Sequence, residues 1–100
     1  MNAIRAVKAI ANERRLQILE WLKNPVANFS PQMEGDLVKD GVCGNQIAEK
    51  LGMAPATVSV HMNVLLEAGF VRAKRIKQWT FYQRDEKGIA MIKGKILNRL

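Results

Sequence analysis

Ser59 and Asn63 stand four residues apart, as do Ala56 and Val60, so on a helix these four side chains share one face. A hydroxyl and a carboxamide at that spacing suit hydrogen bonding to the edges of base pairs, and Asn63 can pair bidentately with an adenine. Ala56, Thr57, Ser59 and Val60 are small enough to leave such a helix slim for a major groove. A second chemical feature follows closely. Arg72, Lys74, Arg75, Lys77 and Arg84 succeed one another with no acidic residue before Asp85, a concentration of positive charge that suits phosphate. Other reactive groups are few. The single cysteine, Cys43, is a candidate redox residue if a helix N-terminus lowers its pKa, against the alternative of a plain buried thiol. The single histidine, His61, is expected to be a packed, hydrogen-bonded side chain, since a tetrahedral metal site needs further ligands that no nearby spacing supplies. No nucleophile with a base, carboxylate pair or phosphate loop is present, so neither an enzyme nor a cofactor is expected.

The elements that must position these residues can be read from the same stretch. Ile47, Ala48 and Leu51 mark the apolar face of a short helix, Gly52 supplies a residue free to take positive φ at its end, and Pro55 opens a second helix. In that second helix Val58, Met62 and Leu65 recur at i, i+4 and i+7 and must be buried, which turns Ser59 and Asn63 outward. Gly69 ends it. Residues 45–69 therefore read as a helix-turn-helix. Any two packed helices joined by a glycine would give a similar pattern, and what favours DNA reading is the sequel. Phe70 to Arg75 and Trp79 to Arg84 are rich in aromatic and β-branched residues and flank Ile76, Lys77 and Gln78, so residues 70–84 read as a hairpin, a basic wing beside the reading helix.

With 100 residues, 48% of them apolar, the chain can build one modest core. The formal charge of +7 calls for a polyanionic partner. Double-stranded DNA fits better than a membrane surface, because the basic residues gather on a hairpin and at helix ends. One cysteine gives no internal disulfide, no apolar run approaches a spanning length and no signal-peptide pattern opens the chain, so a cytoplasmic location is expected.

Around the reading device the pattern predicts a helix over about 2–11, with Ala3, Ile4, Val7, Ile10 and Ala11 all able to be buried. A second follows from Glu13 to Leu22, with Asn12 as N-cap. Arg14 and Arg15 in its first turn oppose the helix dipole, a conflict that a nearby phosphate would relieve if they are not simply solvated. Residues 24–41 form a connector punctuated by Pro25, Pro31, Gly35 and Gly41, in which Ser30 and Pro31 are expected to start one helical turn docking Phe29, Met33 and Leu37. Val42 and Cys43 suit a short strand against the wing. A last helix over about 85–100 carries a stripe of Ile89, Ile92, Ile96 and Leu100. The apolar surplus on the first and last helices is expected to be buried in a homodimer, which would set two reading helices about 34 Å apart, one turn of DNA. The expected architecture is a single domain over 1–100, mainly α with a small β-hairpin wing, in the order α-α-(connector)-α-α-β-β-α.

Three segments, KAIANERRLQILEWL, IAEKLGMAPATVSVHMNVLLEAGFV and RAKRIKQWTFYQRDE, together give the chain a resemblance to the ArsR/SmtB family of winged-helix regulators over nearly its whole length. The resemblance implies a homodimer built on the first and last helices, operator binding, and repression relieved by an effector whose identity it does not give. The chain departs from the family's metal sensors. One type carries a Cys-x-Cys pair where this sequence has Cys43 and Asn45, and another uses Asp and His pairs on the last helix, where this sequence has no histidine. Ala54 stands where the family favours a capping serine, Val60 where relatives often place a polar or basic residue, and Lys77 where the wing tip commonly has glycine. The expected function is thus a sequence-specific DNA-binding regulator, a repressor acting as a homodimer on a palindromic operator; the competing reading is a winged-helix module that binds an acidic protein partner.

Overall fold

Side-chain caps start four of the helices, three of them longer than one turn. Asn2 accepts from the amides of Ile4 and Arg5, Asn12 from that of Arg15, and Asp85 from that of Gly88. Each supplies an acceptor to an amide that has no partner within the helix. The computed structural model describes residues 2–100; Met1, the first residue of the expected domain, lies outside the described residues. The elements are α1 (Ala3–Ile10), α2 (Glu13–Lys23), α3 (Pro25–Asn28), β1 (Val42–Cys43), α4 (Gly44–Leu51), α5 (Pro55–Glu67), β2 (Val71–Ile76), β3 (Trp79–Arg84) and α6 (Glu86–Leu97). The chain is mainly helical, with a three-stranded antiparallel sheet in the order β1-β3-β2.

The turn between α4 and α5 forms as its residues dictate. Gly52 takes φ +68°, and its amide and that of Met53 return to carbonyls of the last turn of α4, which closes the helix in the left-handed manner glycine allows. Ala54 then caps α5 with no side-chain hydrogen bond. Val58, Met62 and Leu65 are buried against Ile47 and Ala48 of α4, Ile18, Leu19 and Leu22 of α2, and the sheet residues Val42, Val71 and Tyr82 in one core.

Three expectations are corrected. The connector's helical turn lies at Pro25–Asn28, capped by the Asn24 side chain, and not after Ser30. Asn24 precedes Pro25 just as Ser30 precedes Pro31, and a second bond decides in its favour: the Asn28 side chain closes the turn on the Asn24 carbonyl. Phe29 and Leu37 pack inward, whereas Met33 is fully exposed. On α1 it is Ala6 and Ala9 that are buried, while Ile4 and Val7 face outward, because only alanines fit the close approach to the body. On α6 the stripe of Ile89 and Ile92 belongs to the chain's own core, with Ile96 packed against it; Ile92 is only 2% exposed. The outward face of α6 is a different set, Ala90, Met91, Gly94 and Leu97.

The close seat of α6 on the end of α5 depends on Gly88. A methyl group there would collide with the carbonyl oxygen of Gly69, which itself sits at φ +88° in the turn that leads into the wing. Gly88→Ala is therefore expected to lower stability by about 1–3 kcal/mol, the usual range for overpacking. Urea unfolding of the full chain checks this, and an unchanged midpoint would contradict the contact.

Candidate nucleic-acid interface

Burial of Val58, Met62 and Leu65 fixes the rotation of α5 about its own axis. At 100° per residue, Ser59, Asn63, Ala56 and Val60 then fall in an arc of about 100° on the exposed side. Thr57 is exposed too but lies on the flank nearer His61. The side chains of Thr57, Ser59 and Asn63 make no hydrogen bond to any other described residue, so their donors and acceptors remain directed outward. At the far end of this face Glu67 would repel a polyanion, and Arg5 of α1 pairs with it at 2.8 Å.

The inner flank of α5 is tied to the body through His61. Arg15 lies 3.0 Å from His61 Nδ1 and also donates to the carbonyls of Ala9 and Lys8. One guanidinium thus joins the end of α1, the start of α2 and the reading helix. Burial lowers the proton affinity of His61, and the charges of Arg15 and Arg14 act in the same direction. The neutral imidazole is the form that accepts from Arg15. Arg15 is accordingly a structural tie and Arg14 is left exposed.

The wing is a hairpin in which Lys77 takes φ +56°, a conformation more usual for glycine or asparagine. Pairing of Arg72 with Gln83, Lys74 with Phe81 and Ile76 with Trp79 puts these six side chains on one face of the sheet. Ala73, Arg75, Thr80 and Tyr82 occupy the other, and Thr80 and Tyr82 line a cleft of about 210 Å³ against Pro55, Val58, Ser59 and Met62 of α5. The pleat therefore divides the basic block. Arg75 shares the face turned to the reading helix and donates only to the Lys77 carbonyl, at 3.3 Å. Arg72 and Lys74 lie on the opposite face, where the connector returns. Lys74 pairs with Asp40 at 2.5 Å and Lys77 with Glu34 at 3.0 Å. Arg84, at the root, is half committed to the fold: it donates to the Leu19 carbonyl and pairs with Glu86.

Cys43 is the N-cap residue of α4 and pairs with Phe81 across the sheet, and its amide donates to Gln32 at 2.6 Å. The side chain is partly exposed on a groove of about 770 Å³ that Phe29, Met33, Glu49, Trp79 and Phe81 also line. Among the described residues no group of three or more His, Cys, Asp or Glu side chains is arranged to hold a metal ion. No helix of the structure is long and apolar enough to cross a membrane.

Two packed helices joined by a tight turn and followed by a hairpin form a winged helix-turn-helix, and comparison with known proteins finds the same fold. Residues 42–73 match the family model described as bacterial regulatory protein, arsR family. Over 92 residues, 92% of each chain, the protein is 45% identical to YbzH of Bacillus subtilis (strain 168), described as an uncharacterized HTH-type transcriptional regulator. The chain belongs to the ArsR family. Its fold matches reduced HlyU from Vibrio cholerae N16961 with a TM-score of 0.62 and 28% identity, covering 97% of this chain and 85% of that one. The transcriptional regulator HlyU from Vibrio vulnificus CMCP6 gives 0.61 and 30%, covering 91% and 80%. The homodimeric winged helix-turn-helix DNA-binding domain of Mb0332 from Mycobacterium bovis gives 0.63 and 26%, covering 96% and 76%. As an ArsR-family winged helix the protein is a DNA-binding transcriptional regulator and not an enzyme.

The sequence reading placed Ala56, Thr57, Ser59, Val60 and Asn63 on one helix, and the structure brings Arg75 to the same side. It carries Arg72 and Lys74 to the other face of the wing. The pairing of Glu34 and Asp40 with the wing and of Arg15 with His61 has no counterpart in the sequence reading, where Arg15 figures only as a cation opposing the dipole of α2; the one signal available for Glu34 and Asp40 is a sign opposite to that of the wing.

The tie at His61 predicts a pH dependence. Its folded pKa lies below 6.5, so the unfolded chain binds the proton more tightly. The contribution to stability is complete above about pH 6.5 and is lost as pH falls from there through the folded value. The urea midpoint of the parent should fall in that window more steeply than that of His61→Gln, which can still accept from Arg15 but does not titrate. Parallel slopes would show that His61 is not coupled to folding.

Proposed function

We propose that the whole chain acts as one winged helix-turn-helix domain that reads a twofold-symmetric operator as a homodimer in the cytoplasm and represses transcription, with release by an effector. The observation that carries the DNA-reading part is the outward face of α5, whose Ser59 and Asn63 have no partner among the described residues. In this reading Asn63 and Ser59 contact base edges, Ala56 and Val60 pack against thymine methyl groups or sugars, and Thr57 and the wing cations meet phosphate.

The homodimer is supported by apolar groups that the single chain leaves uncovered. Ile4 and Val7 on α1 are 51% and 43% exposed, and Met91 and Leu97 on α6 are 56% and 67% exposed. Helices α1 and α6 pack on each other, so these side chains belong to neighbouring surfaces. Ala90 and Gly94, one turn apart on α6, would let a second helix approach closely. Mb0332, of similar fold, is homodimeric.

Two experiments test these parts. Asn63→Ala should change which duplex is preferred, by about 1–3 kcal/mol at one base pair. Arg75→Gln should weaken all duplexes alike and reduce the salt slope by about one. Selection from a random duplex pool for each variant decides it, and an unaltered consensus with Asn63→Ala would refute the assignment. For the dimer, Met91→Glu should give a monomer by sedimentation with little loss of melting temperature, because the side chain is already solvated in the single chain. A parent that sediments as a monomer at micromolar concentration removes the twofold operator.

A further inference from the structure

The connector folds into a small acidic clamp before it reaches the wing. Asp36 Oδ1 accepts the amides of Val38 and Lys39, Asp40 Oδ2 accepts the amide of Asp36, and the amides of Asp40 and Gly41 return to the Asp36 carbonyl. These bonds make 36–40 a self-supported turn. They also leave Asp40 Oδ1 turned outward, toward Lys74. The Gln83 side-chain amide donates to the carbonyls of Val38 and Lys39, and Gly35 approaches the Phe81 ring so closely that a β-carbon would not fit. At the tip Glu34 takes Lys77. The clamp therefore runs along the edge of the Lys74 face from root to tip, with the carboxylates of Asp40 and Glu34 on the two lysines. Lys74 is the main reason the Asp40 carboxyl stays below its ordinary pKa, consistent with direct attraction.

We infer that this acidic connector is an internal competitor of DNA: Glu34 and Asp40 occupy Lys77 and Lys74, and full engagement of the wing with phosphate requires them to let go. The inference rests on the wing and α5 being the DNA interface. A lysine paired with a carboxylate presents no net charge to a polyanion. A phosphate must displace that carboxylate or use another cation, and among the described residues the wing cations with no acidic partner are Arg72, which donates to the Gln83 side chain, and Arg75, which donates to the Lys77 carbonyl. The pairs are suited to exchange. Lys77 and Glu34 are 66% and 42% exposed, and an ion pair so open to water is weakly held; in the second pair Asp40 is only 16% exposed, but Lys74 is 53% exposed and is the partner free to swing away. The connector thereby sets how much of the +7 charge the interface can use.

The test uses the full chain and a duplex taken from the random-pool selection, with affinity followed by fluorescence anisotropy across a salt series. Glu34→Gln/Asp40→Asn opens the clamp while preserving shape. Glu13→Gln/Glu20→Gln removes two acids from α2 that make no ion pair among the described residues, and so controls for net charge. Lys74→Gln/Lys77→Gln is made in the parent and in the opened chain. The opened chain should bind more tightly than the control by roughly fivefold per released lysine, and its salt slope should steepen by about one to two. Loss of the lysines should cost little in the parent and cancel the gain in the opened chain. Glu34→Gln alone leaves the 36–40 turn intact and should give about half the gain, which keeps the test valid if the double variant misfolds. Equal affinity of opened and control chains, or an equal cost of removing the lysines in parent and opened chains, overturns the inference. A parent that binds no selected duplex, or one whose preference ignores Asn63, fails differently, because it removes the interface reading itself.

Discussion

The burial of three side chains on α5 governs the rest of this molecule. Val58, Met62 and Leu65 enter the core together, each at most 1% exposed. A helix with one buried stripe has no freedom to roll, so the same burial that stabilises the domain aims Ser59 and Asn63 at solvent. Each such side chain contributes about 1.5–3 kcal/mol when removed from water, so the three together outweigh any single base contact of about 1–3 kcal/mol made by the outward face. The reading surface is therefore set by groups that never touch DNA. Arg15 adds direction to this constraint, because it joins α1, α2 and α5 through one planar group with several fixed donors.

The wing obeys a second rule, the alternation of side chains across a pleated strand. Five cations that look continuous in sequence are distributed over two faces and a tip once β2 and β3 pair. One face looks toward α5 and the other is met by the connector, so charge near the reading helix depends on register as much as on composition. The family match over 42–73 takes in the helix-turn-helix and the start of β2, whereas the acidic connector precedes it and β3 follows it. The helix-turn-helix and the connector whose acids pair with the wing are thus separate in sequence and meet only in the folded structure.

Much of this was legible before the structure. Gly52, Pro55 and the Val58, Met62, Leu65 spacing identify the two central helices because each residue acts locally, through a cap, a fixed φ or a period. The short strand at Val42–Cys43 and the hairpin were likewise readable from β-branched and aromatic runs. What was not legible depends on contacts distant in sequence. That Lys74 meets Asp40 and Lys77 meets Glu34 requires the connector to cross the sheet, and no local pattern encodes that crossing. Both Pro25 and Pro31 follow a residue able to cap a helical turn, so the sequence does not distinguish them, and the Asn28 bond that decides for Pro25 is a detail of side-chain placement. On α6 two apolar sets lie on opposite sides, and periodicity alone does not say which faces the chain's own body.

The central claim is that packing turns one face of α5 to the DNA and that this face does the reading. Chemical-shift mapping of the isotopically labelled chain, titrated with a duplex selected by the parent, tests it most directly. The side-chain amide of Asn63 and the backbone signals of Ala56, Ser59 and Val60 should move most, followed by Arg75, while Ile18 and Ile47 in the core stay still. Shifts concentrated on α2 and α3, with Asn63 unmoved at saturation, would contradict the account.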